Sequence, residues 1–380
     1  MDFIYPPEAE AFRKELRAWL DEHLSDDLRG LGFALEPDPE RIEQLRQWSR
    51  LLADAGYAAI SWPSEYGGRG ATLIEQVVWS EEMHRAQAPP TLNPIGIANI
   101  APAILAFGTE EQKQRHLPRM LRGDDIWCQG FSEPDAGSDL AALRTSAVRD
   151  GDHYVVTGQK VWNTLGGFAT MCELLVRTDP EAPRHQGISC LLVDMSLPGI
   201  EARPLVTITA EREFSELFFT EVRVPVHSLL GPENDGWQVA VTTLAHERGS
   251  VADLHLGLRR KVRDLVDEAR TAGRIDHPLV RHRLADVYLR AELLKLLADR
   301  AVSGQLHGRP MGPESSVAKL LWSDTEQRLA EVAGEVLGAQ AIAGRWGRER
   351  VYCRALSIAG GTTEVQKNII AQRILGLPRG

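Results

Sequence analysis

Glu247 and Arg248 stand side by side in a stretch whose apolar residues, Trp237, Val241, Leu244, Val251 and Leu258, repeat at helical spacing. Arg248 falls on that stripe. Glu247 borders it, three residues from Leu244 and four from Val251. An adjacent Glu–Arg pair on a helix is ordinarily a solvated face or an ion pair. A carboxylate held against an apolar face is different, because desolvation raises its pKa and lets it accept a proton near neutral pH.

Three other stretches have the composition of a ligand site. WCQGFSEPDAGSDL (127–140) crowds Ser132, Glu133, Asp135, Ser138 and Asp139 between large apolar residues. It reads either as a plain connecting loop or as one whose N–H groups and hydroxyls hold a polar ring and a phosphate. QKVWNT (159–164) sets Trp162 beside Asn163 and Thr164. That tryptophan is either a core residue or a flat partner for a heterocycle. LSIAGGTTEVQ (356–366) places two glycines before two threonines and a helical pattern, so Thr362 or Thr363 can cap a helix at a turn suited to an anion. No acid or base sits at that turn, since Glu364 is already inside the helix.

The bulk of the chain limits what these groups can serve. At 380 residues it exceeds one ordinary core, and 43% hydrophobic with 25% charged residues is a globular composition. A net charge of −10 argues against nucleic acid as the main partner. Cys128, Cys172, Cys190 and Cys353 show no metal-type spacing and point to a reduced, cytoplasmic setting. MDFIYPPEAEAF does not read as a secretion signal, and no apolar run is long enough to suggest a membrane span. Metalloprotease, nucleophile-elbow, P-loop and Rossmann motifs are all missing from the sequence.

The elements that must position the candidate residues fall into three parts. Helical periodicity covers 8–24, 40–56, 72–86, 95–107 and 110–121, giving a helical domain over 1–124. From 125 to 235, HYVVTGQKVW, CELLVRT, GISCLLVDM and SELFFTEVRVP are strand-like runs with antiparallel-type connections, the Asp-Gly pair of VRDGDHYVV forming a hairpin turn. Helical stretches return over 236–380 at 237–268, 278–303, 314–342 and 362–374.

Taken together, FSEPDAGSDL, GQKVWNT, LAHERG and IAGGTTEVQKNIIAQRILGLPRG resemble the acyl-CoA dehydrogenase family, in that order and across the whole chain. The actinobacterial type, including enzymes of steroid and fatty acyl-CoA breakdown, is the most similar. The resemblance implies an α+β fold with an N-terminal helical domain, a middle antiparallel β-barrel or sandwich, and a C-terminal four-helix bundle. It implies FAD held non-covalently, an acyl-CoA substrate oxidised to its 2,3-enoyl form, and electrons passed to an electron-transfer flavoprotein. It also implies a dimer or tetramer, either of one chain or a heterotetramer with a related subunit.

Carried over by position, the resemblance sets Gln129, Phe131 and Ser132 against the isoalloxazine and Ser138 near the pantetheine or phosphate. Trp162 would pack on the flavin and Thr164 would bond its edge. Arg248 would lie by the thioester, and Gly361, Thr362 and Glu364 by the FAD phosphates and adenosine. Many members have a catalytic glutamate where Gly360 stands here, so Gly360 would face the substrate without supplying the base. Glu247 takes that role by analogy with members whose base lies on the earlier helix. GRIDHPLV lacks the usual RxxFG pattern and leaves Arg274 as the candidate for a cross-subunit FAD contact. Where a GlnxxGlyGly stretch is usual in another FAD motif, this chain has Glu335, Gly338 and Ala339. A non-catalytic subunit of a heteromeric dehydrogenase and a flavin monooxygenase on the same fold are the alternative functions.

Overall fold

The computed structural model describes residues 5–32, 38–249, 253–309 and 312–378, without the side chains of 247–249. Its contacts divide the chain into two compact units. One comprises Met1–Ala18, Leu73–Arg85 and Arg248–Gly380, the other Trp19–Thr72 and Ala86–Glu247.

The second unit begins with the last residues of α1 (Pro7–His23) and continues through α2 (Pro39–Asp54). Asp38 caps α2 by accepting from the Glu40 N–H at 3.1 Å, with Pro39 at the first helical position. Leu45, Trp48 and Leu52 form its buried face, and the Trp48 indole donates to Pro89 O at 2.9 Å. After α3 (Leu73–Ala86), nearly all of which belongs to the first unit, a π-helical turn over Gly96–Ile100 leads into α4 (Ala101–Phe107). A reciprocal Thr109–Gln112 capping box opens α5 (Glu110–Leu121).

Among the described residues, eight strands make one sheet in the order β6-β7-β3-β2-β4-β5-β8, with β1 on β4. They are β1 (Trp127–Gly130), β2 (Ser146–Asp150), β3 (His153–Thr164), β4 (Met171–Arg177), β5 (Ile188–Asp194), β6 (Ile200–Leu205), β7 (Phe214–Pro225) and β8 (Leu229–Leu230). The β2–β3 hairpin turns at Asp150–Gly151 as its Asp-Gly pair predicts. The remaining pairings are also antiparallel, except β1 with β4 and the single Ser146–Arg177 bridge of β2 with β4, which are parallel. The sheet is thus antiparallel, as expected, apart from these two parallel pairings. Parallel neighbours need a long connection, and residues 131–170, which include the hairpin, supply it. β4 and β5 are buried along nearly their whole length, as strands covered on both faces are.

Gly236 starts α6 (Gly236–Gly249) hard against β5: a Cβ there would lie 2.5 Å from the Ser189 carbonyl carbon and 2.6 Å from the Cys190 nitrogen. This contact sets the rotation of the helix. Val239, Ala240 and Thr243 are completely buried, while Val241 is 45% exposed. The stripe expected through Trp237, Val241 and Leu244 is therefore not the buried face. Val251 lies outside the described residues. Of the helical stretch expected over 237–268, the structure describes α6 to Gly249 and α7 from Leu254; residues 250–252 between them lie outside the described residues.

In the first unit, α7 (Leu254–Thr271), α8 (Pro278–Leu306) and α9 (Ser315–Leu337) pack pairwise. Leu258, Val262 and Leu265, Leu284, Val287 and Leu294, and Leu329, Val332 and Val336 form their common core at three- and four-residue spacing. α10 (Gly344–Tyr352) and α11 (Thr363–Ile369) pack on α9. No helix of the described residues is long and apolar enough to cross a membrane.

Candidate functional site

The candidate residues form two groups, one in each unit. In the second unit, the segment after β1 is tied to the far end of β3. Lys160, completely buried, donates to Phe131 O at 3.1 Å and to Glu133 Oε1 at 2.9 Å. The Val161 N–H donates to Ser132 O at 2.9 Å, and Asn163 Nδ2 to Gln129 O at 2.6 Å. Between these anchored neighbours Trp162 adopts φ 63°, at an irregularity in the β3–β7 register between Lys160 and Asn163.

A left-handed backbone is rare for a bulky residue and costs roughly 1–3 kcal/mol unless its surroundings impose it. Here the flanking bonds impose it, and the indole is turned outward, 61% exposed. The core reading of Trp162 is thereby ruled out. Phe214 meets the indole edge-on, with centroids 5.8 Å apart at 84°. Thr164, half-buried, pairs with Phe214 across the ladder. Ser132 and Gln129 are half-buried, Phe131 is buried, and Ser138 is exposed on the loop beyond.

Burial raises the Glu133 carboxyl, but Lys160 and the Thr145 N–H, which donates at 2.8 Å, hold it below its ordinary value. Burial also lowers the Lys160 ammonium against the pull of Glu133. Lys160 was not singled out in the sequence, and Glu133 and Asn163 stood there only as neighbours of candidate residues. In a strand that also holds Thr157, Gln159 and Thr164, a lysine and an asparagine give no separate signal.

A second buried acid lies nearby in sequence register. Glu173 on β4 pairs with Gln129 of β1 and is completely buried. Burial pushes its carboxyl up to about 8, countered by the Thr243 hydroxyl, which lies 2.7 Å from Oε1. Oε2 has no hydrogen-bond partner among the described residues. Thr243 sits on α6 one turn before Glu247 and Arg248, whose side chains lie outside the described residues.

The other group is the turn before α11. Gly360 and Gly361 have φ 64° and 94°, conformations that favour glycine. A Cβ on Gly361 would come within 2.7 Å of Gln366 Nε2. Gln366 donates to Gly360 O at 2.9 Å, and the Lys319 ammonium to Gly361 O at 2.8 Å. Thr362 caps α11 by accepting from the Val365 N–H at 3.2 Å. The exposed Glu364 carboxyl is lowered by its own N–H and by the Thr362 hydroxyl. Arg274 lies past the end of α7, exposed, on a different element from the turn; Glu335 on α9 pairs with Arg283 at 3.2 Å.

Family models described as the acyl-CoA dehydrogenase N-terminal, middle and C-terminal domains match residues 6–124, 128–222 and 234–375. Acyl-CoA dehydrogenase IpdE1 of Mycobacterium tuberculosis is 39% identical over 98% of this chain and 98% of its own. Acyl-CoA dehydrogenase FadE26 of the same organism is 36% identical, over 100% of this chain and 99% of its own. Among solved structures, the steroid ACAD Tcur3481-Tcur3483 is similar at TM-score 0.88 and 32% identity, with both chains covered in full. The ChsE4-ChsE5 complex of Mycobacterium tuberculosis reaches 0.85 at 37% identity, again with 100% of both chains covered.

Proposed function

The chain belongs to the acyl-CoA dehydrogenase family, and from that premise we propose that it holds FAD and converts an acyl-CoA to its 2,3-enoyl-CoA. The observation that carries the cofactor reading is Trp162. A strained, outward-facing indole beside the hydroxyl of Thr164 and the 129–132 backbone fits one face of a planar heterocycle. Gln129, Phe131, Ser132, Trp162 and Thr164 would hold the ring, and Gly361, Thr362 and Glu364 the phosphate and adenosine end. Arg274 would make the contact across a subunit boundary. Bound there, FAD would supply the acceptor for the β-hydrogen.

The chain's own work is to bind the thioester and take the α-proton. Such a base must be a carboxylate close to the carbonyl and shielded from water. Gly360 has no side chain to offer, and so leaves room for substrate. Glu247, four residues beyond the buried Thr243, is the carboxylate we assign to this step. Arg248 would orient the thioester, and Ser138 would meet the pantetheine or phosphate. The relatives described as steroid ACADs favour a bulky, steroid-derived acyl group over a short one. An electron-transfer flavoprotein is the acceptor we propose for the reduced cofactor.

A second reading has its own support. The heteromeric neighbours favour assembly with a related subunit, in which this chain could complete a partner's FAD site without catalysing. Glu247→Gln separates the two. With FAD content unchanged, the catalytic reading expects turnover of an accepted acyl-CoA, followed with ferrocenium, to fall about a hundredfold or more. Turnover close to wild type would remove Glu247 as the base, whereas a FAD-loaded wild-type chain without turnover of its own would leave the non-catalytic reading standing.

A further inference from the structure

The reaction as proposed makes no use of Glu173, yet its placement is unusual. The carboxyl lies in mid-strand on β4, completely buried, in register with Gln129 of β1. Thr243 of α6, also completely buried, has two acceptors within reach of its single hydroxyl proton: Glu173 Oε1 at 2.7 Å and Val239 O at 3.3 Å. An ionised Glu173 would draw that proton to itself and keep an unpartnered charged Oε2 in the interior, an expensive arrangement. A protonated Glu173 instead donates to the Thr243 oxygen, and the Thr243 proton then goes to Val239 O. Every hydrogen in the chain is then used.

The surroundings favour the protonated form. Among the described residues, the thiols of Cys172, its neighbour on β4, and of Cys190 on β5 lie close enough to feel its charge, and Cys128 of β1 pairs with Cys172. Burial keeps those of Cys172 and Cys190 well above the ordinary thiol range, hence neutral. The buried ammonium of Lys160 on β3 is bonded to Phe131 O and Glu133. Burial pushes the Glu173 carboxyl itself up to about 8.

We propose that Glu173 is a positioning residue which, by donating a proton to Thr243, fixes α6 and its Glu247 against the β1–β4 pair that carries Gln129. The role rests on the reading of Glu247 as base and of Gln129 as a flavin contact. It sets the distance between a proton acceptor and a ring, where a displacement of about 1 Å can cost a hundredfold in rate. Loss of the proton reverses the Thr243 bond and leaves a charged, unpartnered Oε2 in the interior, so the packing of α6 on β4 loosens as pH rises past about 8.

The test compares wild type, Glu173→Gln and Thr243→Val as FAD-loaded holoenzymes, with kcat and KM followed from about pH 6 to 10. Wild-type kcat should fall about tenfold in the alkaline range at nearly constant KM. Glu173→Gln, whose amide donates the same bond and cannot ionise, should keep the neutral-pH rate and lose the alkaline fall. Thr243→Val should lose about tenfold in kcat at neutral pH with KM and FAD content unchanged. An equal alkaline fall in Glu173→Gln, or full kcat in Thr243→Val, would overturn the role.

Thermal melting provides a readout that needs no turnover. The folded pKa of about 8 lies above the ordinary carboxyl value of 4.5, so the folded state binds the extra proton between them. Wild type should therefore lose stability relative to Glu173→Gln as pH rises through that window, the gap levelling above it. Turnover without this gap overturns the positioning role alone. The gap without turnover by wild type overturns the dehydrogenase reading and the role together.

Discussion

Trp162 is turned out of a strand by its neighbours' bonds, which separates what it contributes to the fold from what it offers a ligand. Truncating it removes no core contact and leaves φ 63° easier to adopt. Trp162→Ala should therefore fold normally while binding FAD about tenfold or more weakly, from the lost ring contact and its buried area. Flavin-to-protein ratio after gel filtration and the visible spectrum measure this, and unchanged values would remove the assignment. The residue type was legible in the sequence, but its orientation was not. That orientation depends on Lys160, Val161 and Asn163 reaching Glu133, Ser132 and Gln129, groups about thirty positions away that a linear pattern does not join. Glu173 escaped notice for the same reason: a lone acid in CELLVRT reads as a strand residue, and its partner Thr243 is 70 residues on.

At the scale of elements, periodicity carried furthest where an element packs on one face. The helices α2, α5, α8 and α9 lie close to where their apolar spacing put them. It failed for α6, where small residues rather than large ones are buried. The Gly236 backbone lies directly on Ser189 and Cys190, so rotation is set by close approach instead of by the largest side chains. Gly236→Ala, which forces a Cβ into that backbone contact, should cost about 1–3 kcal/mol. The measurement is denaturant or thermal unfolding of the holoprotein, and a loss within error would mean that α6 can shift on β5 without penalty. The parallel β1–β4 pair was illegible for a different reason, since no local signal in WCQG reports which strand it joins across residues 131–170.

At the scale of the whole molecule, α8 exposes Leu289, Leu293 and Leu296, spaced by four and three residues so that they share one face. An apolar row of this kind on a helix that also forms a core suits contact with another subunit. Wild type should sediment as a dimer or larger, and Leu293→Glu should shift it toward smaller species; a wild-type monomer with full FAD occupancy would contradict the reading. Among the described residues, the two ends of the strand order offer no competing surface. Its terminal strand β6 is largely exposed, carries the Glu201–Arg203 pair and is interrupted by Pro204, which has no N–H to give. At the opposite edge, β8 is only Leu229–Leu230. Neither margin is a usable template for a foreign strand, so when chains accumulate during synthesis the sheet cannot grow from one molecule into the next. Crowding should then favour helix-mediated assembly over fibrous precipitation.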